Sequence, residues 1–268
     1  MVKTIYYRDN SWLLSGSNRF VHPYSTGRYV NALSSRYNAV TFKDCNYSAI
    51  YLNSDTRGMY SYRNASYITS IYMNYMDYMF SNYCNNLSIA TIPSNTTSMV
   101  RTFHNCNSLV NPPTIPNSVT NMKYTFSICN NLLTPPVIPN SVIDMFGTFA
   151  GCSSLTHAPT IPNSVTNLYD CFSRCTSLTT AQAISNSVTN MYSTFVNCTS
   201  LTGNINIYSP HITNAFNCFN NTSLPKNVRI PFRYINGVYT ETYNSFSASY
   251  GSGQNGVVLM DLNSGAIL

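Results

Sequence analysis

The residues of this 268-residue chain with the most chemistry in them are nine cysteines and four histidines. An odd cysteine count argues against a closed disulfide framework. Five of the cysteines, Cys106, Cys129, Cys152, Cys175 and Cys198, recur every 23 residues. In a stacked repeat that spacing lines thiols up inside a core, where free cysteine behaves as a small hydrophobe. Cys171 and Cys175 look like half of a metal site, but no second pair and no histidine lies near them in sequence, so no zinc is expected. Gly251-x-Gly253-x-x-Gly256 matches a dinucleotide fingerprint by letter. Only 12 residues follow it, too few for the helix and strand the motif needs, so it reads as a flexible loop. His22, His104, His157 and His211 fall at different positions of the repeat, and Asp and Glu together number 8. No acid–base pair is assembled, and the sequence predicts a non-enzyme with no catalytic residue, no cofactor and no metal.

Composition narrows the class. Charged residues make up 8% of the chain, against roughly 25% in ordinary soluble domains. Hydrophobic residues stand at 44%, so the chain is not of the disordered kind. Asn, Ser, Thr and 22 Tyr take the place of charge, which suits a β-rich surface. Glu241 is the single glutamate, and long amphipathic helices lean on Glu. No run of about 18 apolar residues exists to span a membrane. The start, Met1 to Asp9, has no apolar segment of secretory type. Residues 1–63 hold eight basic residues against three aspartates, net +5, without a cluster. Nucleic acid would demand rows of Lys or Arg, so none is expected as a partner.

These residues are positioned by a repeat. Phe80, Phe103, Phe126, Phe149, Phe172 and Phe195 recur every 23 residues, and Phe219 follows after 24. Leu109, Leu132, Leu155, Leu178 and Leu201 sit six residues after a Phe. Met76, Met99, Met122, Met145, Leu168 and Met191 sit four before one. Ile92, Ile115, Ile138, Ile161 and Ile184 complete the frame, and Pro-Asn-Ser-Val recurs at Pro116–Val119, Pro139–Val142 and Pro162–Val165. A period of this length predicts a solenoid, in which each coil is too small to bury its own apolar side and stacking completes the core. Leu155 to Ile161 is the expected strand of one coil, ended by a turn at Pro162-Asn163-Ser164. Pro112-Pro113 and Pro135-Pro136 shorten the paired part of that strand, because proline has no N–H to donate.

The run from Ile115 through Pro116-Asn117-Ser118-Val119-Thr120-Asn121-Met122 to Phe126, Cys129 and Leu132 resembles the BspA-type leucine-rich repeat. The resemblance covers about residues 70–224. It implies a leucine-rich-repeat-like solenoid of the kind found in surface and adhesive proteins, and in proteins of phages and other microbes. About six regular coils are expected over residues 71–224, preceded by degenerate coils over 38–70, where Thr41-Phe42-x-x-Cys45 echoes the repeat. A β-rich cap is expected over 225–268, and a basic, Tyr-rich head over 1–37.

The head is read as an attachment or capping element. Tyr6, Tyr7, Arg8, Trp12 and Arg19 are its candidate contacts, since Tyr, Trp and Arg are enriched at interfaces. The neutral outer face of the repeat is the candidate binding surface, through Asn111, Lys123, Tyr124, His157, Tyr169 and Tyr192, with rows of hydrogen-bonding groups and aromatic platforms. The function expected is surface recognition or adhesion. An adhesin-like repeat with no export signal points to a phage virion protein, of the tail, a fibre or the decoration. The head would contact other virion or surface proteins, and the repeat face a host glycan or protein, with a homo-oligomer allowed and no membrane contact. The alternatives are a bacterial cell-surface adhesin of the BspA type and an intracellular structural scaffold.

Overall fold

A single turn of 23 residues has too few apolar side chains to close a core, so each turn must lie on its neighbours. The computed structural model describes residues 76–77, 92, 94–202 and 205–223 in full, with Val228 and the backbone of the strands named below. The turn from Met122 to Cys129 shows how stacking is achieved. Alternate N–H groups leave the turn: Met122 donates to Asp144 O at 2.9 Å, Tyr124 to Phe146 O at 2.8 Å, Phe126 to Thr148 O at 2.9 Å and Ile128 to Ala150 O at 2.7 Å. The N–H groups between them close back on their own turn, from Thr125 to Met122 O and from Cys129 to Phe126 O, both at 3.1 Å. Every backbone donor of the segment is thereby paired, as burial requires. The alternation leaves two residues per turn in the left-handed region, here Tyr124 (φ 53) and Ile128 (φ 60).

The head of each turn is tied by single parallel bridges from Ser98 to Asn121, Asp144, Asn167, Asn190 and Asn214 in succession. Inside the stack lie the buried columns. Six phenylalanine rings, Phe103 to Phe219, stack nearly parallel with centroids 5.3 to 5.6 Å apart. The repeated Leu, Ile, Val, Met and Cys positions surround them and are buried throughout. Buried threonine hydroxyls find carbonyls in the neighbouring turn: Thr125 donates to Met99 O at 2.7 Å and Thr148 to Met122 O at 2.8 Å.

The expected strand from Leu155 to Ile161 is not formed as a strand; that stretch carries one bridge, His157 to Thr180. Proline is the reason. Ala158 donates its N–H to Thr180 O at 3.2 Å, and the matching positions one and two turns earlier are Pro135 and Pro112, which have none to give. Farther along the prolines thin out and pairing grows. Ile184 N–H reaches Asn206 O at 2.8 Å, and Ile205–Asn206 then pairs in parallel with Val228–Arg229. The turn at Asn163-Ser164 is as expected.

Eight strands precede this array: β1 (Thr4–Arg8), β2 (Ser11–Leu13), β3 (Val40–Lys43), β4 (Asn46–Tyr47), β5 (Ala49–Tyr51), β6 (Tyr60–Arg63), β7 (Tyr67–Ile68) and β8 (Ile71–Tyr72). β3 pairs with β6, β4 with β7 and β5 with β8, all parallel; Val40 meets Tyr60 and Ile50 meets Ile71, so the offset is close to one repeat. β1 also joins β5 in parallel, with Ile5 opposite Ile50, although the first 37 residues match no coil by sequence. One strand lies within the array, β9 (Ile205–Asn206), and four follow it: β10 (Lys226–Ile230), β11 (Tyr234–Ile235), β12 (Val238–Tyr239) and β13 (Val257–Asp261), with β13, β10 and β9 in one parallel sheet. The side chains of Tyr6, Tyr7, Arg8 and Trp12, all of Arg19, Phe80, Cys45 and Cys84, and the Gly251–Gly256 loop lie outside the described residues.

Candidate functional site

The outer wall of the array is built by the same eight-residue turns. An Asn or Asp at the head of each turn accepts, through its side-chain oxygen, the N–H two residues on: Asn121 from Lys123 at 3.0 Å, Asp144 from Phe146 at 3.0 Å, Asn167 from Tyr169 at 3.1 Å and Asn190 from Tyr192 at 3.0 Å. This local bond is one that Asn and Asp make readily. It fixes the backbone of the residue three before each core Phe, and those residues form a column.

The column holds Lys123, Phe146, Tyr169, Tyr192 and Phe216. Phe146 stacks on Tyr169 with centroids 4.5 Å apart, Tyr169 on Tyr192 at 4.6 Å and Tyr192 on Phe216 at 5.6 Å. Tyr124, from the adjacent column, meets Phe146 edge-on at 5.0 Å. Lys123 pairs with Asp144 at 3.1 Å. The structure thus brings together four residues chosen from the sequence, Lys123, Tyr124, Tyr169 and Tyr192. Phe146 and Phe216 were missed, although their spacing from Phe149 and Phe219 places them in the same column. The expectation of aromatic platforms needs correcting. Stacking gives most ring faces to neighbouring rings, so the wall presents edges and phenol hydroxyls. Burial raises the pKa of Tyr124 and of Tyr169, with Asp170 adding to both and Arg101 opposing at Tyr124, so these phenols stay neutral donors.

Asn111 and His157 stand apart from that wall. They lie two turns apart in one column beside the prolines, both exposed, where His157 Nδ1 is 3.1 Å from Thr156 Oγ1. Shallow grooves of about 440 and 470 Å³ flank Val137 there, which is 87% exposed.

Beside the aromatic column runs a third feature, an open groove of about 420 Å³. Its rims are the two left-handed columns, and its floor is the column between them, with Ser127, Ala150 and Ser173. In the central turn both rim side chains are missing, at Gly147 (φ 58) and Gly151 (φ 77). The Tyr124 ring occupies the space over Gly147, where an added Cβ would lie 2.4 Å from Cε1, and Ile128 leans over Gly151. The Arg101 guanidinium sits 4.9 Å from the Tyr124 ring centroid. Arg174 and Asp170 line the far side. Burial raises the Asp170 pKa, opposed by Arg174. The sequence signal for this groove was faint, because its rim carries a different residue type in almost every turn.

Acyl-transfer chemistry finds little support in the groove. His104 Nδ1 lies 2.7 Å from Ser127 Oγ, and burial, with Arg101, lowers the imidazole pKa, so it is a neutral base. Yet Ser127 is 3% exposed, and the Ser127 and Ile128 N–H groups that would flank an oxyanion are spent on Tyr124 O and Ala150 O. The seven described cysteines are buried and free, and burial pushes the thiols of Cys152, Cys171, Cys175 and Cys218 up. Thiols held protonated are poor nucleophiles and metal ligands. No group of three or more metal-binding side chains occurs among the described residues. Nor does any helix there have the length and apolarity to cross a membrane.

A family described as the BspA type leucine rich repeat region matches in six copies, over residues 33–110, 76–168 and 122–249. Among solved structures, a leucine-rich repeat protein from Bacteroides ovatus is similar, with 22% identity and a TM-score of 0.45 over 69% of this chain. The chain spans 55% of that protein's length. No curated protein matches.

Proposed function

We infer a role in surface recognition from one premise: the chain belongs to the BspA-type leucine-rich repeat family. Repeat proteins of this architecture hold rows of side chains at fixed pitch on a stiff support, which suits them to extended partners. The observation that carries the reading here is the wall itself. Its backbone is tied into the stack, so the backbone bonding does not dictate which residue type, from Lys123 to Phe216, each turn presents. We read the array as a continuous solenoid and the activity as adhesion to a protein or glycan on another surface, without catalysis. A bacterial cell surface is the setting this family fits; the family match lends no weight to a phage tail or fibre.

The head over residues 1–37 serves as a cap in this reading. β1 lies along β5 and covers an edge that would otherwise invite another chain. Attachment through Tyr6, Tyr7, Arg8, Trp12 and Arg19 is the accompanying proposal for the head. Binding of fluorescently labelled chain to cells, and to immobilised extracellular proteins and glycans, tests the recognition role. Saturable binding is expected. Its absence, both for single chains and for chains clustered on a multivalent carrier, sinks the role, because clustering removes weak affinity as an excuse.

A further inference from the structure

We propose that the groove between the two left-handed columns binds a carboxylate-bearing saccharide, with Arg101 and Arg174 holding its acid groups. The proposal rests on the recognition role above and names the ligand class for one face of the wall. Three observations lead to it.

The first is shape. The middle of the floor is made of the small side chains of Ser127, Ala150 and Ser173, and at the rim the Tyr124 ring lies over Gly147 while Ile128 leans over Gly151. The groove runs along the stack, so an extended chain fits it better than a compact molecule. Arg101 and Arg174 belong to turns three repeats apart, which is about 14 Å of axis at ~4.8 Å per turn.

The second is the state of the backbone. An extended peptide usually gains affinity by adding a strand to free N–H and C=O groups. Here the donors along the floor and rim are used: Ala150 N–H goes to Gly147 O, Gly151 N–H to Ser173 O, Ser173 N–H to Asp170 O and Arg174 N–H to Val196 O. Recognition is left to side chains, which favours a ligand that brings its own hydroxyls.

The third is the set of side chains. Two guanidiniums, Arg101 and Arg174, and one carboxylate, Asp170, line the groove. Guanidinium pairs with carboxylate in a two-pronged geometry. Asp170, Ser173 and Asn197 supply acceptors and donors for sugar hydroxyls, each of which both gives and takes a hydrogen bond. His104 is held neutral by burial and by Arg101, so it adds no charge of its own.

The test uses the full chain and three probes: a soluble oligogalacturonate, its neutral methyl ester and a polyglutamate peptide of matched charge. Calorimetry should show binding of the oligogalacturonate that weakens as salt is added. The R101Q/R174Q double variant should weaken it at least tenfold with an unchanged melting temperature, and A150Q, which fills the floor without altering charge, should do the same. Equal binding of acid and ester, full affinity in the double variant, tighter binding of the peptide, or no binding of any probe each overturns the assignment. Surface binding by the same two proteins keeps the two claims apart. If wild type and double variant bind cells equally, the groove assignment falls and recognition stands; if neither binds cells or saccharide, both fall.

Discussion

At the scale of the residue, the stack decides what each side chain can do. Thr125 and Thr148 and the repeated cysteines look alike in burial, and both donate inward to carbonyls of the neighbouring turn; the Cys152 thiol reaches Phe126 O at 3.0 Å. Such thiols should be silent. Mass-spectrometric mapping after alkylation under native conditions is expected to leave Cys106, Cys129, Cys152, Cys171, Cys175, Cys198 and Cys218 unmodified, and to label all of them in denaturant; native labelling of any of these would contradict the burial seen here. Asp170 gives a second, opposite case. Burial raises its carboxyl above the usual value of 3.8, so the folded state holds the proton more tightly than the unfolded one. Its contribution to stability is therefore greatest at low pH and is lost as pH rises through the folded pKa. Asp170→Asn removes the buried charge and keeps a side chain that tolerates the left-handed backbone (φ 53). The variant is expected to melt higher than wild type at pH 7 and to show no advantage near pH 3, about one unit below the usual carboxylate value. Thermal melts at the two pH values decide it.

At the scale of the element, the buried columns were legible in the sequence and the paired strands were not. Core side chains recur because every turn meets the same neighbours, so the 23-residue spacing of Phe, Leu, Ile and Cys could be read directly as a spine. Strand length depends instead on N–H groups that Pro112, Pro113, Pro135 and Pro136 remove, and the result is isolated bridges where a strand was expected. The groove was the least legible feature. Its rim positions take a left-handed backbone because alternate N–H groups must reach the next turn, and this holds for Arg101, Tyr124, Asp170 and Ile128 alike. Local preference would have put Gly or Asn at such sites, so stacking overrides propensity there. The phenylalanine spine makes a quantitative prediction about the element. Phe149 lies between Phe126 and Phe172, with ring centroids 5.6 Å away on both sides. Truncation by Phe149→Ala should cost ~3–5 kcal/mol in urea denaturation, because neither neighbour can close the cavity without breaking its own turn. Phe219→Ala should cost less, as Phe219 has a single stacked partner, Phe195, among the described residues. Equal losses at the two positions would show that the ring column does not carry the stack.

At the scale of the whole molecule, energy is shared between neighbouring turns, and distant turns meet only through the turns between them. Backbone bonds between turns join residues 22 to 24 apart along the chain, as from Phe126 to Thr148 or Thr120 to Thr97, and the inward side-chain bonds of Thr125, Thr148 and Cys152 span 26. A complete repeat should then be removable without destroying the fold, provided the columns rejoin in register. Deleting residues 173–195 joins Phe172 to Val196 and brings Cys198 to the place of Cys175, three residues after the retained Phe. Tyr169 would then meet Phe216, as Tyr192 does now at 5.6 Å, and Leu168 N–H would meet Asn214 O, as Met191 N–H does now. The shortened chain is expected to fold with the circular dichroism spectrum of the parent scaled to its length, and to unfold cooperatively at a lower temperature. A deletion of the same region that is shorter by four residues, 173–191, breaks the register and puts the core residues Phe195 and Cys198 at the exposed places of Thr176 and Thr179. That protein should fail to fold. If both deletions melt alike, the columns do not set the register and the stack owes its order to something else.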